Sequence, residues 1–246
     1  MRMEYAASTR IGKRPRNEDR FYIPVPDGAA GLALVADGMG GHRSGDIASS
    51  VGAETAEKVI RTGRGKAAPR LKRAVSEANR AVFTLSQEQP ECEGMGTTMT
   101  VALAGNKQWT LAQVGDSRAY LWEGGTLRQL TQDHSLVAEM VRQGSLTPEE
   151  ARVHPHRNII TRAVGTALTV ETDIYEVPLT AGQTLLLCSD GLTDPLTDEE
   201  IADWLGRALP LQEIADGLTA AAEEKGGTDN ITAVLARTGE EVTFRG

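Results

Sequence analysis

Hydrophobic positions along the chain fall into short, nearly unbroken runs separated by longer segments with helical spacing. The runs occupy residues 31–36, 97–104, 109–114, 184–189 and 230–237 and are rich in Val, Leu and Ala. Continuous apolar runs of this length predict strands covered on both faces, since a strand with one wet face would alternate. Between them the apolar positions recur every three or four residues. Over residues 46–60, Ile47, Val51, Thr55 and Val59 lie four apart with Ala48, Ala56 and Ile60 beside them, which predicts one apolar helix face. Pro69 is expected to open a second helix, with Leu71, Val75, Ala78, Val82 and Leu85 on one side. Residues 198–205 and 211–224 predict two more, and Gly124-Gly125 after Glu123 predicts a tight hairpin. Residues 134–169, with Gly144, Pro148, His154, Pro155 and His156, are less regular. They are expected to form a helix followed by a mobile excursion, of the kind that often borders a site.

Strands alternating with helices indicate a mixed α/β chain, and neither an internal repeat nor a low-complexity stretch interrupts it. Its 246 residues suit one domain spanning 1–246. With 40% hydrophobic and 24% charged residues, a core can form without disulfides. Cys92 and Cys188 lack metal-site spacing and are expected as reduced thiols. The start, Met1 to Tyr5, has no apolar segment, and the longest apolar runs are far short of the ~20 residues that span a bilayer. A soluble, cytoplasmic protein with no membrane partner is therefore expected. The formal charge of -8 argues against a general nucleic-acid binder, and Trp109, Trp122 and Trp204 form no stacking pattern. That charge leaves a phosphate-bearing substrate open, because bound divalent cations invert the local field of an acidic pocket.

The candidate chemistry lies in acids set in Gly-rich contexts: Glu18-Asp19, Asp37-Gly38, Asp116, Asp190-Gly191 and Asp229-Asn230. The last four flank apolar runs, so strands sharing a sheet would bring them to one rim. Any one alone reads equally as a turn or a helix cap. Together, unpaired carboxylates in one cleft repel and need protons or cations. Oxygen donors without a His or Cys cluster favour Mg²⁺ or Mn²⁺ over Zn²⁺.

The segments around these acids resemble the PPM (PP2C-type) family of metal-dependent protein phosphatases, in its bacterial form. The matching stretches are residues 14–19 (RPRNED), 35–42 (VADGMGGH), 94–98 (GMGTT), 114–118 (VGDSR), 130–135 (LTQDHS), 189–194 (SDGLTD) and 227–232 (GTDNIT). They occur in family order across nearly the whole chain. The resemblance implies an α+β fold, a four-layer α-β-β-α sandwich with two central antiparallel sheets and a metal cleft at one end. It implies two cations, Mn²⁺ or Mg²⁺, and a weaker third. Asp37 would bridge the pair, with the Gly38 carbonyl on one side and Asp190 and Asp229 holding the second ion. Asp116, with Asp190, would hold the third, and Glu18 and Asp19 would act largely through metal-bound water. Arg14 aligns with the phosphate-binding arginine, and Arg16 is its neighbour.

A water activated between two cations would attack phosphorus in line with the departing serine or threonine oxygen, without a phosphoenzyme. Eukaryotic relatives carry histidine directly after Asp-Gly, where this chain has Met39. His42 is then the nearest candidate general acid, with metal-bound water as its alternative. Asp133 reads as a helix cap or a loop-ordering group, His154 and His156 as solvent-facing, and Met95 and Met99 as core residues. The excursion within 134–169 resembles the family's flap. The implied partners are phosphoserine and phosphothreonine proteins, with a cognate serine/threonine kinase as counterpart. A phosphatase of a small phosphorylated metabolite and an inactive phosphoprotein-binding module are the alternatives. The second of these would be expected to lack the metal-binding acids.

Overall fold

The computed structural model describes residues 3–25, 31–40, 44–105 and 107–239. Two antiparallel sheets carry the fold. The first runs β1 (Met3–Arg10), β11 (Ile231–Thr238), β10 (Thr184–Cys188), β7 (Arg118–Glu123), β8 (Thr126–Gln129) in spatial order. The second runs β2 (Asp19–Tyr22), β3 (Leu32–Met39), β5 (Met99–Ala104), β6 (Gln108–Val114), β9 (Asp173–Pro178), with the short β4 (Gly96–Thr97) paired to the end of β3.

Every central strand is buried on both sides, and successive residues serve different layers. In β3, Leu34 and Ala36 face the cluster under α1 (Ser44–Thr62) and α2 (Ala67–Glu88), whereas Ala33 and Val35 face the other sheet. In β10, Leu186 and Cys188 face α6 (Asp198–Leu205) and α7 (Leu211–Glu224), whereas Leu185 and Leu187 point between the sheets. The strand period of two thus places every residue in one apolar layer or another, and the runs read as continuous. The result is the four-layer α-β-β-α sandwich expected from the family resemblance.

Several local expectations need correction. Asp37-Gly38 is not a turn after a strand; β3 continues through both, with Asp37 opposite Asp19 and Gly38 opposite Thr97. The run 97–104 breaks at Thr98, whose backbone and side chain both bond Asp37. In α1 the buried stripe is Ala48, Gly52, Ala53, Ala56 and Ile60, and Ile47, Val51 and Val59 are only partly buried. Small side chains let α1 pack closely: a Cβ on Gly52 would lie 3.2 Å from both Met99 Cε and Thr97 Cγ2. Pro69 is the third residue of α2 and not its first, which costs nothing because first-turn N–H groups have no helical acceptor. The hairpin at Gly124-Gly125 forms, with φ of 57° and 84°, the positive values a tight two-residue loop demands.

Residues 134–169 hold two short helices, α3 (Leu136–Arg142) and α4 (Pro148–Arg152), where one was expected. A capping box between Thr147 and Glu150 starts α4. The Ser135↔Ile160 bridge closes the segment on itself, and the Thr97↔Val164 bridge ties its base to the body. Met95 and Met99 are fully buried, and Cys92 and Cys188 are buried free thiols. Among the described residues no helix is long and apolar enough to cross a membrane.

Candidate metal centre

The sandwich brings five of the predicted aspartates to one end. Asp19 and Asp37 face each other across β2 and β3. Asp116 sits in the turn between β6 and β7, Asp190 begins the short helix α5 (Asp190–Thr193) directly after β10, and Asp229 lies just before β11. Hydrogen bonds hold the rim together. Asp37 N–H donates to Thr98 Oγ1 at 2.9 Å, and Thr98 N–H returns a bond to the Asp37 carbonyl at 2.8 Å. Thr98 Oγ1 meets Ser117 Oγ at 2.7 Å, which ties the Asp37 strand to the residue after Asp116. Asp19 Oδ2 accepts from Ser189 Oγ at 2.8 Å and Thr232 Oγ1 at 2.6 Å, so the acid of one sheet is held by hydroxyls of the other.

Gly38 permits a backbone crossing at this end. A Cβ there would lie 2.0 Å from the Gly45 carbonyl and 2.7 Å from the Glu18 carbonyl, so any side chain would push α1 off the site. Gly38 N–H donates to the Glu18 carbonyl at 3.2 Å. Asn230 fixes the preceding loop: its Nδ2 donates to the carbonyls of Ile11 and Arg16, and its Oδ1 accepts from Glu18 N–H.

The electrostatics of the cluster are those of uncompensated charge. Burial, then the fields of Asp19, Asp190, Asp116 and Asp229, push the Asp37 carboxyl well above the usual range. Burial, then Asp116, Asp194 and Asp229, does the same to Asp190. Asp19 is pushed up to about 6, chiefly by burial, and Asp116 to about 7, by burial and then Asp133. Asp19 Oδ1, Asp116 Oδ1 and Asp190 Oδ1 are buried with no hydrogen-bond partner. Buried carboxylate oxygens left without donors are what hard divalent cations satisfy, so these residues fit Mg²⁺ or Mn²⁺. No three of the described acids close round a common point at ligand distance.

Arg14 reaches the rim, where its Nη2 donates to Asp229 Oδ2 at 2.7 Å with half its side chain in solvent. Arg16 is exposed; its carbonyl accepts from Asn230, and its charge acts on Glu18. His42 lies outside the described residues. Asp133 orders the loop and does not cap α3, since Arg118 grips it with Nε and Nη2 at 2.9 and 2.7 Å and Ser135 is the cap. His156 is exposed, whereas His154 is half-buried with Nδ1 accepting from His156 N–H.

Some participants were not singled out in the sequence. Asp46, in the first turn of α1, faces Glu18 and joins burial in raising its pKa; in sequence it passes for an ordinary acid at a helix start. Asp194 sits beside Asp190 and is raised by burial. Arg152 of α4 donates to the carbonyls of Thr193, Asp194 and Leu196 at 3.1–3.2 Å, pinning the excursion to the end of α5. Beside the cluster opens a cleft of about 720 Å³, lined by Asp116, Asp190 and Asp194 on one side and Arg142, Arg152 and Arg157 of the excursion on the other.

Comparison with known proteins agrees with this geometry. Residues 8–236 match the family model described as protein phosphatase 2C. The chain is 39% identical over 235 residues to the serine/threonine phosphatase Stp of Listeria welshimeri, covering 90% of each. It superposes on the crystal structure of the Mycobacterium tuberculosis serine/threonine phosphatase PstP with a TM-score of 0.89 at 38% identity, covering 97% of this chain and 99% of that one. A structure of the PstP catalytic domain in complex with two manganese ions matches with a TM-score of 0.87 at 36% identity, over 97% and 99% of the two chains. By motif order, four-layer architecture and this similarity along nearly its full length, the chain belongs to the protein phosphatase 2C family.

Proposed function

We propose that the protein is a metal-dependent serine/threonine protein phosphatase, acting as one catalytic unit over residues 1–246 on phosphoserine and phosphothreonine side chains. The observation that carries this is the buried aspartate cluster with three oxygens lacking donors at the mouth of an open cleft. Two divalent cations, Mn²⁺ or Mg²⁺, fit there, with a weaker third beside Asp116. When bound, they supply Lewis-acid polarisation of the phosphoryl group and an activated water.

The chain's own residues hold and aim these groups. Asp37, whose backbone Thr98 fixes at the end of β3, would hold both ions. The Gly38 carbonyl, Asp190 and Asp229 would complete the ligand set, and Asp116 with Asp190 would serve the third position. Glu18 and Asp19 would act through metal-bound water. Arg14, half in solvent beside Asp229, is placed to donate to phosphate oxygens in bidentate fashion and to offset charge in the transition state. His42 is the candidate proton donor to the leaving oxygen.

The cleft extends well past the aspartates along the excursion at 134–169, a shape that supports a polypeptide substrate over a small metabolite. A serine/threonine kinase that phosphorylates the same proteins is the natural counterpart. The test is phosphate release from phosphoserine and phosphothreonine peptides with Mn²⁺ and with EDTA, run beside small phosphorylated metabolites. Metal-dependent turnover that favours the peptides supports the assignment, and turnover confined to metabolites would overturn it.

A further inference from the structure

The end of the molecule remote from the metal centre carries a charge pattern that the phosphatase reaction does not use. Seven of the chain's 26 Lys and Arg residues fall between Lys58 and Arg73, and no Asp or Glu falls between Lys58 and Ser76. Removing those seven cations leaves a formal -15 on the remainder of a chain whose total is -8. The segment comprises the end of α1, the turn at Gly63–Gly65 and the start of α2. Lys58, Arg61, Arg64, Lys66, Lys72 and Arg73 are all exposed. Only Arg61 has a carboxylate partner, Glu57 at 3.0 Å, among the described residues. The side chains gather over the turn: a Cβ on Gly63 would lie 2.9 Å from both Arg70 Cδ and Arg73 Nη2, and Arg70 Nη1 donates to the Gly63 carbonyl at 3.3 Å.

Its position is set by α1. That helix starts against Gly38 at the metal rim and runs for 19 residues, so its far end lies about 27 Å away. The patch is therefore a pole facing away from the cleft. It is a convex corner of two helix ends, and none of the molecule's exposed large hydrophobic residues falls within residues 58–73. A protein interface draws its affinity from buried aromatic and aliphatic anchors, which are missing here. A flat anionic surface needs only cations within a Debye length of about 10 Å, and the seven cations here outnumber the flanking acids Glu54, Glu57 and Glu77, of which Glu57 pairs with Arg61.

From this separation of charge we infer that residues 58–73 dock the protein peripherally on anionic lipid bilayers, with the cleft directed away from the membrane. The attachment is electrostatic, reversible and without insertion. It is independent of the reading of the metal centre, because none of its residues belongs to that site.

The experiment is flotation of the whole chain with vesicles of phosphatidylcholine alone and with about 30% phosphatidylglycerol, at salt from about 0.05 to 0.5 M. EDTA is present throughout, so that metal ions cannot bridge the acidic face to lipid. The variant is Arg64→Glu/Lys66→Glu; Lys66 makes no side-chain cap to α2, and both residues stand clear of the cleft. Wild type should float with anionic vesicles at low salt, not with neutral ones, and be released at high salt. The variant should bind at least tenfold more weakly, since each cation near the surface is worth roughly fivefold. Its metal-stimulated phosphatase activity should be unchanged. Absence of binding to anionic vesicles at low salt, or equal binding by the variant, would overturn the proposal. So would retention by duplex DNA or heparin without vesicle binding.

Discussion

His134 holds Gly115 from both sides of the residue: its N–H donates to the Gly115 carbonyl at 2.9 Å, and its Nδ1 accepts from Gly115 N–H at 3.1 Å. Because Nδ1 is an acceptor, the neutral ring carries its proton on Nε2, 3.1 Å from Asp173 Oδ2. Burial lowers the imidazole pKa and favours that neutral form. Gly115 precedes Asp116, so this pair of bonds sets the turn that presents the Asp116 carboxylate, proposed above for the third cation. Arg162, at the base of the excursion, donates to Asp173 Oδ1 at 2.9 Å and so holds the carboxylate that accepts from the ring. An asparagine in place of His134 offers Oδ1 where Nδ1 stood, whereas glutamine offers only the distal position. We expect His134→Gln to weaken the Asp116-dependent Mn²⁺ site about tenfold, as loss of a supporting partner typically does. His134→Asn should retain most of the affinity. Calorimetric Mn²⁺ titration of both variants checks this, with Asp116→Asn as the control that removes the site itself.

Asp37→Asn and Asp190→Asn should each lower turnover on phosphopeptides by roughly a hundredfold or more, because each removes an anionic ligand shared between cations. The same substitutions should raise the melting temperature of the metal-free protein. Both carboxyls are held far above their usual range by burial and by each other's neighbours, and a neutral amide removes that repulsion. Relief of about 1 kcal/mol corresponds to roughly 2–4 °C in a chain of this size. A fall in turnover together with a lower melting temperature would mean that the variants unfold the site, and would withdraw the ligand assignment.

Much of this was legible before the fold was known, for identifiable reasons. The apolar runs of β3 and β10 are continuous because helices cover one face and the opposite sheet the other, so the pattern itself announced buried strands. Asp37, Asp116, Asp190 and Asp229 stand out because each flanks such a run, whereas Asp19 is marked only by its RPRNED motif. Asp37-Gly38 misled because that dipeptide suits a turn, and only the pairing of Asp19 with Asp37 shows the strand continuing. The α1 stripe was misplaced by one position because Ala48, Gly52 and Ala56 carry little hydrophobic weight, although their small size lets the helix approach. Asp46 and Arg152 were invisible for a different reason. Their roles depend on Glu18 and on the carbonyls after α5, distant in sequence and joined only by the tertiary fold.

Stability without metal should depend on pH with an unusual sign. Folding raises the carboxyls of Asp19 to about 6 and Asp116 to about 7, with Asp37 and Asp190 shifted the same way. A carboxyl whose pKa is higher in the folded state supports folding fully below its unfolded value, near 3.9, and loses that support as pH rises through the folded value. In EDTA these groups should therefore lower the melting temperature between about pH 4 and pH 7. Mn²⁺ binds the ionised forms, so the rise in melting temperature that it produces should grow across the same interval. Thermal melts at several pH values, with and without the metal, read both effects. A metal-induced rise that shrinks towards neutral pH would contradict the cluster as the binding site.

Arg14 donates to Asp229 and keeps half of its side chain in solvent, so under the proposed function one residue would serve both the metal rim and the substrate. Asp229 also accepts from Asn230 N–H at 2.8 Å through its other oxygen, so the carboxylate stays oriented when the arginine is removed. Arg14→Ala should therefore leave Mn²⁺ affinity intact while raising KM for phosphopeptides. Loss of a charge-assisted bond is worth roughly 1.5–3 kcal/mol, or about 10- to 150-fold in kcat/KM. Arg14→Lys keeps the charge but loses the planar fork, and should recover only part of that loss. Steady-state kinetics on one phosphopeptide, paired with Mn²⁺ titrations of all three proteins, separates the roles. Unchanged kcat/KM in Arg14→Ala would remove this residue from phosphate recognition, and a parallel fall in Mn²⁺ affinity would instead make it a support for Asp229.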